Sequence, residues 1–310
     1  MNPFAIILQF LLLFAAPHVV AEAPARLVPA AAIVRPAGVP TKVRTESLGM
    51  AVTAKSAVVA DAASGLVLYE KAAGDAHAIA SLTKLMTALV VLESEVDFTA
   101  RYEIRAVDQR GGGVEYFIPG EDVSVQDLWN AALVGSSNTA TMALTRSTGL
   151  TDVAFVARMN EKAQALGMGD AHFTEPTGLD EANRATARDV LLLARAAFAM
   201  DGIRQTVIKE EIEVVPQHPK NRKRRIVKST DQLLGTFLSR EPYAIRGGKT
   251  GSLGDDVGYH LAIAVSHERT QQIYVVVLGS QSPAARFADA KALAVWAFDI
   301  WRWPEQTALR

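Results

Sequence analysis

"IASLTKLMTALVVLE" (residues 79–93) is the stretch on which the fold turns. Leu82, Leu85, Met86, Leu89, Val90 and Leu92 carry apolar surface nearly all the way round a helix. That pattern suits a helix at the centre of a core rather than one lying on its surface. Lys84 interrupts it, in the first turn and three residues after Ser81. A buried ammonium costs several kcal/mol unless it is paired or gives up its proton. The positive ends of the backbone dipoles at a helix N-terminus disfavour the charge further. A neutral amine one turn from a hydroxyl is a general base beside its nucleophile. Taken alone, however, Ser-x-x-Lys arises easily from composition, and Ser81 reads equally well as an ordinary N-cap.

Outward from this helix, the chain changes period twice. "SAVVADAASGLVLYEK" (56–71) gives two β-rich runs about a Ser-Gly turn, a hairpin. "SVQD" (124–127) has the capping-box pattern and opens a helix to about Val134. "GSSN" (135–138) breaks it, and a second apolar run reaches about Thr145. Thr151 and "TARD" (186–189) open two more helices. From 210 the runs "EIEVVP", "RRIVKS", "YAIRGGKTG", "VGYHLAIAV" and "QIYVVVLGS" are short and β-rich, and 283–302 is helical again. The reading is α+β: one antiparallel sheet with flanking helices, drawn from 47–80 and 210–303, and a helical part over 81–209.

The 310 residues are 49% hydrophobic and 21% charged, enough for a full core, and the formal charge of −1 gives no general attraction to nucleic acid. There is no cysteine, hence no disulfide framework. "FAIILQFLLLFAA" (4–16), followed by small residues, reads as a secretory signal over residues 1–21, with no Lys or Arg before the apolar run. Residues 22–46, rich in Ala and Pro without a period, read as a flexible lead-in, with order beginning near Ser56. No later stretch approaches a membrane span. The six histidines lack metal-ligand spacing, so no metal is expected.

Two further clusters carry chemistry. "SSN" (136–138) sets a serine and an asparagine in a break between helices, where such residues also serve as plain turn formers. "KTG" (249–251) ends a β run. It offers a fixed cation, a hydroxyl and a glycine that lets an extended ligand approach an edge strand, or else simply a strand closing in a glycine turn. A second lysine near Lys84 would repel its proton.

Ser81-x-x-Lys84, Ser136-x-Asn138 and Lys249-Thr250-Gly251, in this order, resemble the penicillin-recognising serine enzymes. "PGEDVSVQDLWNAALVGSSNTA", "LGM…FTEPTGLD…TARD" and "KTG…GYHLAIAV" are similar to the D-alanyl-D-alanine carboxypeptidases and endopeptidases, the low-molecular-mass penicillin-binding proteins, over about residues 50–300. The resemblance implies the β-lactamase/transpeptidase-like fold and a serine peptidase that needs no cofactor. Its substrates would be peptidoglycan stem peptides, with β-lactams as inhibitors, in the periplasm. It implies that Ser81 attacks the carbonyl between two D-alanines and that Lys84 takes its proton. Ser136 would relay a proton to the leaving amine and Asn138 would position the substrate backbone. Lys249 and Thr250 would hold the terminal carboxylate. The backbone N–H groups of Ser81 and Ser252 would form the oxyanion hole.

The chain departs from the family's pattern in three places. It runs only about fifty residues past the KTG, as in single-domain, endopeptidase-type members. Gly248 stands where an apolar residue is usual, and "STDQLL" (229–234) replaces a commoner Asn-Thr-Asn. "KNRKRR" (220–225) reads as a solvated hairpin tip, and the tryptophans at 296, 301 and 303 read as packing of the last helix on the sheet, with an interfacial anchor as the alternative. The competing functions are a β-lactamase with Glu175 of "FTEPTGL" as its deacylating base, and a catalytically inactive wall-binding protein.

Overall fold

A computed structural model of the chain describes residues 38–217, 224–268 and 271–304. The expected signal segment and residues 220–223 of the basic run lie outside the described residues. Five strands form one sheet: β1 (Ser56–Asp61), β2 (Val67–Lys71), β3 (Tyr243–Ser252), β4 (Tyr259–His267) and β5 (Gln271–Ser280). Their order is β3-β4-β5-β1-β2, with every neighbouring pair antiparallel. The two stretches of chain flanking the helical block thus share one sheet, as the change of period predicts.

Alternate residues of each central strand enter different cores. In β5, Ile273, Val275 and Val277 join one cluster, and Tyr274, Val276 and Leu278 join the other. A sheet buried on both faces calls for continuous apolar runs instead of alternation, and "YVVVL" and "LAIAV" are such runs. One face is covered by the last helix, α7 (Pro283–Ile300), and the other by the helical block.

Before α7 come α1 (Thr83–Glu93), α2 (Val125–Leu133), α3 (Asn138–Arg146), α4 (Asp152–Ala165), α5 (Ala187–Ala199) and α6 (Asp201–Val207). The caps expected from sequence are present: Ser124, Thr151 and Thr186 accept from the backbone N–H groups of Asp127, Ala154 and Asp189. Each such cap contributes about 1 kcal/mol. α1 packs against α2, α3, α4 and α5, and its residues 83–91 are all buried. That placement accounts for its all-round apolarity.

Two expectations change, and a third, the packing of the tryptophans on the sheet, holds. Order begins well before Ser56: Thr41–Lys42 pairs with Trp301–Arg302, and Trp296 Nε1 donates to Ser47 Oγ at 2.9 Å. Residues 41–47 are therefore stitched to the end of α7. Trp296 and Trp301 are buried in the cluster between α7 and the sheet, which leaves them no part in an interfacial anchor. Arg225 is not a solvated tip residue, because its guanidinium closes on the fully buried carboxylate of Glu121. Among the described residues no helix is long and apolar enough to cross a membrane.

Candidate active site

Ser81 does not cap α1. It lies in a tight 3-10 turn, Ala80–Leu82, and its side chain makes no capping bond to the helix that follows. Instead Lys84 Nζ lies 2.9 Å from Ser81 Oγ, and donates to Asn138 Oδ1 and to the Thr177 carbonyl, both at 2.7 Å. Lys84 is 1% exposed. Burial brings its amine down from the ordinary lysine value to about 7, with the charge of Glu175 pulling the other way. A neutral amine has two N–H donors and one lone pair. Asn138 Oδ1 and the Thr177 carbonyl can only accept, so they take the two donors. The lone pair is left for the Ser81 hydroxyl, which then donates to Nζ.

Opposite stands the end of β3, the sheet's edge strand. Lys249, also 1% exposed, donates to Ser136 Oγ at 2.8 Å and to the Thr250 carbonyl at 3.0 Å. Thr250 Oγ1 donates to Thr230 Oγ1 at 2.6 Å. Burial holds the Lys249 amine well below the lysine range, Lys84 and Arg286 push it further down, and Asp231 opposes them. Burial is the first cause for both lysines, and the charge of Lys84 adds to it at Lys249.

Ser81, Lys84, Ser136, Asn138, Lys249, Thr250, Gly251 and Ser252 converge here, with two differences from the sequence reading. Asn138 is spent within the protein: its Nδ2 donates to the Gly111 and Gly112 carbonyls, and its Oδ1 faces Lys84. Gly251 makes room for the nucleophile's own turn, since a Cβ there would lie 2.9 Å from the Ile79 carbonyl and 3.3 Å from Ala80 Cβ. Strain gathers at both sides of the site. Ala80 and Ser136 hold φ of +50° and +57°, a region costing about 1–3 kcal/mol for residues other than glycine unless the surroundings enforce it.

The profile of the D-alanyl-D-alanine carboxypeptidase family matches residues 41–282. The chain belongs to this family. It is 32% identical to a D-alanyl-D-alanine endopeptidase of Pseudomonas aeruginosa, over 78% of this chain and 76% of that one. It is 27% identical to the D-alanyl-D-alanine carboxypeptidase DacF of Bacillus subtilis, over 79% of this chain but only 62% of DacF. The crystal structure of the Streptomyces K15 DD-transpeptidase superposes with a TM-score of 0.75 at 26% identity, covering 82% of this chain and all of that one. The fold is that of the penicillin-recognising enzymes.

Two parts of this family member's site go beyond what the sequence reading assigned. The first is the bracing role of the loop 175–179. Glu175 Oε2 accepts from the Thr177 N–H and hydroxyl, and Oε1 from the N–H groups of Gly178 and Leu179 and from Asn183 Nδ2. This ring of donors sets the Thr177 carbonyl that Lys84 uses. Gly178, at φ +84°, lies so near the Ala80 carbonyl that any Cβ would collide with it. The second is Arg286 near the start of α7, which donates to the Gly251 carbonyl at 3.2 Å and brings another cation to the end of β3. Among the described residues no group of three or more His, Cys, Asp or Glu is placed to hold a metal.

Proposed function

We propose that the protein is a serine D-alanyl-D-alanine peptidase acting on peptidoglycan stem peptides through an acyl-enzyme on Ser81. The observation that carries this reading is the Lys84 amine: buried, brought to about 7, and held by two carbonyl oxygens so that its lone pair meets the serine hydroxyl. Near neutral pH a large share of the amine is free to take the Ser81 proton, and such a base contributes about 10²- to 10⁴-fold in rate.

An extended peptide lies along the edge of β3, its terminal carboxylate at Lys249, Thr250 and Arg286. Ser81 Oγ attacks the carbonyl as its proton passes to Nζ. The N–H groups of Ser81 and Ser252 receive the oxyanion, whose charge exists only in the tetrahedral state and is therefore favoured over the flat substrate. The amine of the departing D-alanine takes the proton that Lys84 received from Ser81, relayed through Ser136, whose hydroxyl oxygen is held by Lys249. Water then releases the acyl group. Asn138 acts as a positioning residue for Lys84 and loop 111–112. Residues 1–21 direct export and the body beginning near residue 38 works in the periplasm.

Glu175 speaks against the β-lactamase reading. Both its oxygens are occupied by five donors of its own loop, leaving none to activate a deacylating water. Incubation with purified muropeptides followed by mass spectrometry tests the proposal. Loss of one alanine marks carboxypeptidase action, splitting of dimers marks endopeptidase action, and neither outcome with active wild-type protein would refute it. Ser81→Ala should abolish both products and the uptake of fluorescent penicillin.

A further inference from the structure

Next to the residues that hold Lys84 lies a cavity of about 570 Å³ that no step of the reaction uses. Its wall is shared with the site. Glu175, Pro176 and Leu179 line the cavity, and the Thr177 carbonyl between them accepts from Lys84. Leu179 also meets the loop above the site, since a Cβ on Gly112 would lie 2.9 Å from its Cδ2 and 3.6 Å from Asn138 Nδ2. Met142, one turn beyond Asn138 on α3, and Val153 and Val156 of α4 complete an apolar floor. Val153 is 82% exposed, an apolar side chain left open to water within the lining. The volume falls in the range of small-ligand pockets, roughly 300–1,000 Å³.

Three charges line the same cavity, and among the described residues none of them belongs to an ion pair. Asp152 opens α4. Asp180 follows Leu179, and its carboxylate accepts from the Ala182 N–H and the Thr174 hydroxyl, both at 2.9 Å, which hold it below the ordinary aspartate range. Arg110 comes from the loop above the site, where its guanidinium donates only to main-chain carbonyls, of Val107 at 2.6 Å and of Gln109 at 3.0 Å. A purely apolar occupant would draw water from these charges without pairing any of them. An occupant of one sign would meet a like charge. Hydrocarbon carrying both signs matches floor and rim together. We propose that this cavity is the subsite for the peptide residue immediately upstream of the acylated D-alanine, and that it takes an aliphatic side chain ending in both an ammonium and a carboxylate. The ammonium goes to Asp152 and Asp180, and the carboxylate to Arg110. The inference rests on the reading of Ser81 and Lys249 given above. With the terminal carboxylate at Lys249, the leaving residue occupies the Ser136 side of Ser81, and the acyl part of the peptide runs out on the side of Asn138 and loop 175–179.

Three tripeptides ending in D-alanyl-D-alanine, each acetylated at its α-amine, test the assignment through kcat/KM. The first residue carries the full amine–carboxylate head in one peptide. In the second the side-chain amine is acetylated, and in the third the side-chain carboxylate is amidated. The wild type should prefer the full head over either modified peptide by about three- to fivefold, the most that partly exposed ion pairs give. Asp152→Asn should bring the ratio against the acetylated peptide toward one and leave the ratio against the amidated peptide in place. Adding Asp180→Asn, which keeps an acceptor for the Ala182 N–H, should remove what remains of the first ratio. Arg110→Gln should do the reverse, erasing the ratio against the amidated peptide alone. A change that merely loosens α4 or the loop above the site lowers all three rates by one factor and moves neither ratio. Ratios of one in the wild type, or ratios that the variants leave unmoved, would overturn the inference, while hydrolysis of all three peptides keeps the reading of Ser81 and Lys249. If wild-type protein that takes up fluorescent penicillin cuts none of the three, both readings fail together.

Discussion

Replacing Glu175 by glutamine probes the loop that holds the base. The carboxylate accepts five hydrogen bonds, from Thr177 twice and from Gly178, Leu179 and Asn183. Glutamine keeps one acceptor oxygen. Its cheaper orientation turns the NH₂ toward Thr177, whose hydroxyl can rotate to accept but whose N–H is left unsatisfied. One orphaned N–H costs about 1–3 kcal/mol, and three remaining bonds lose their charge assistance at about 1 kcal/mol each, for a total of about 4–6 kcal/mol. That is enough to loosen residues 174–180 and to move the Thr177 carbonyl away from Lys84. Acylation of Ser81 by fluorescent penicillin should then fall about a hundredfold at its plateau, the low end of what a positioned base contributes. The midpoint of its rise with pH should also move. Glu175 is the group raising Lys84's pKa, so its neutralisation places the rise below about 7. The assay is the second-order acylation rate from pH 5 to 9, with the lifetime of the adduct measured alongside. Wild-type acylation at an unmoved midpoint would refute the role given to the loop. Unchanged acylation with a much longer-lived adduct would instead make Glu175 the deacylating base of a β-lactamase.

Lys249→Ala should weaken binding of carboxylate-terminated peptides by about 2–5 kcal/mol, seen in KM and absent for the C-terminal amide. Gly178→Ala should collide with the Ala80 carbonyl and lower the melting temperature while slowing penicillin uptake, because the turn carrying Ser81 has to shift. Lys84 binds its proton more weakly folded, at about 7, than unfolded, at 10.5, so its penalty on stability is full below pH 7 and gone by 10.5. Urea unfolding should accordingly show the wild type gaining about 3 kcal/mol between pH 7 and 9.5 relative to Lys84→Met, and equal slopes in the two proteins would sink the assignment of a neutral amine.

Much of the architecture was legible because its causes are local. Ser124, Thr151 and Thr186 announce helices through hydrogen bonds made within four residues, and the unbroken apolar runs of β4 and β5 announce a sheet covered on both faces. Order is expected from the sequence only near Ser56 because what fixes residues 41–55 comes from Trp296, Trp301 and Asp289, more than two hundred residues away. Arg225 misled for a similar reason: a run of basic residues suggests solvent, and Glu121, its buried partner, stands about a hundred residues earlier. Within the site the nucleophile, base and KTG strand are legible through the family resemblance that the three motifs carry in their order. Arg286 is not, since a cation near a helix start becomes a site residue only once the sheet order brings α7 beside the end of β3.

The same distinction accounts for the chemistry. Moving a lysine from 10.5 to about 7 favours its neutral form by about 5 kcal/mol, a sum that desolvation supplies and folding must offset. Two carbonyl acceptors orient the amine, and neither brings a full negative charge that would hold the proton on it. The carboxylate that does act on Lys84, Glu175, is kept one peptide away and committed to the loop. Burial acts on Lys249 in the same direction: its amine is held well below the lysine range, Lys84 and Arg286 push it further down, and Asp231 opposes them. One fold thus desolvates two lysines on facing elements, and what separates their roles is what each amine touches: two carbonyl oxygens and the Ser81 hydroxyl for Lys84, the Ser136 hydroxyl and the Thr250 carbonyl for Lys249.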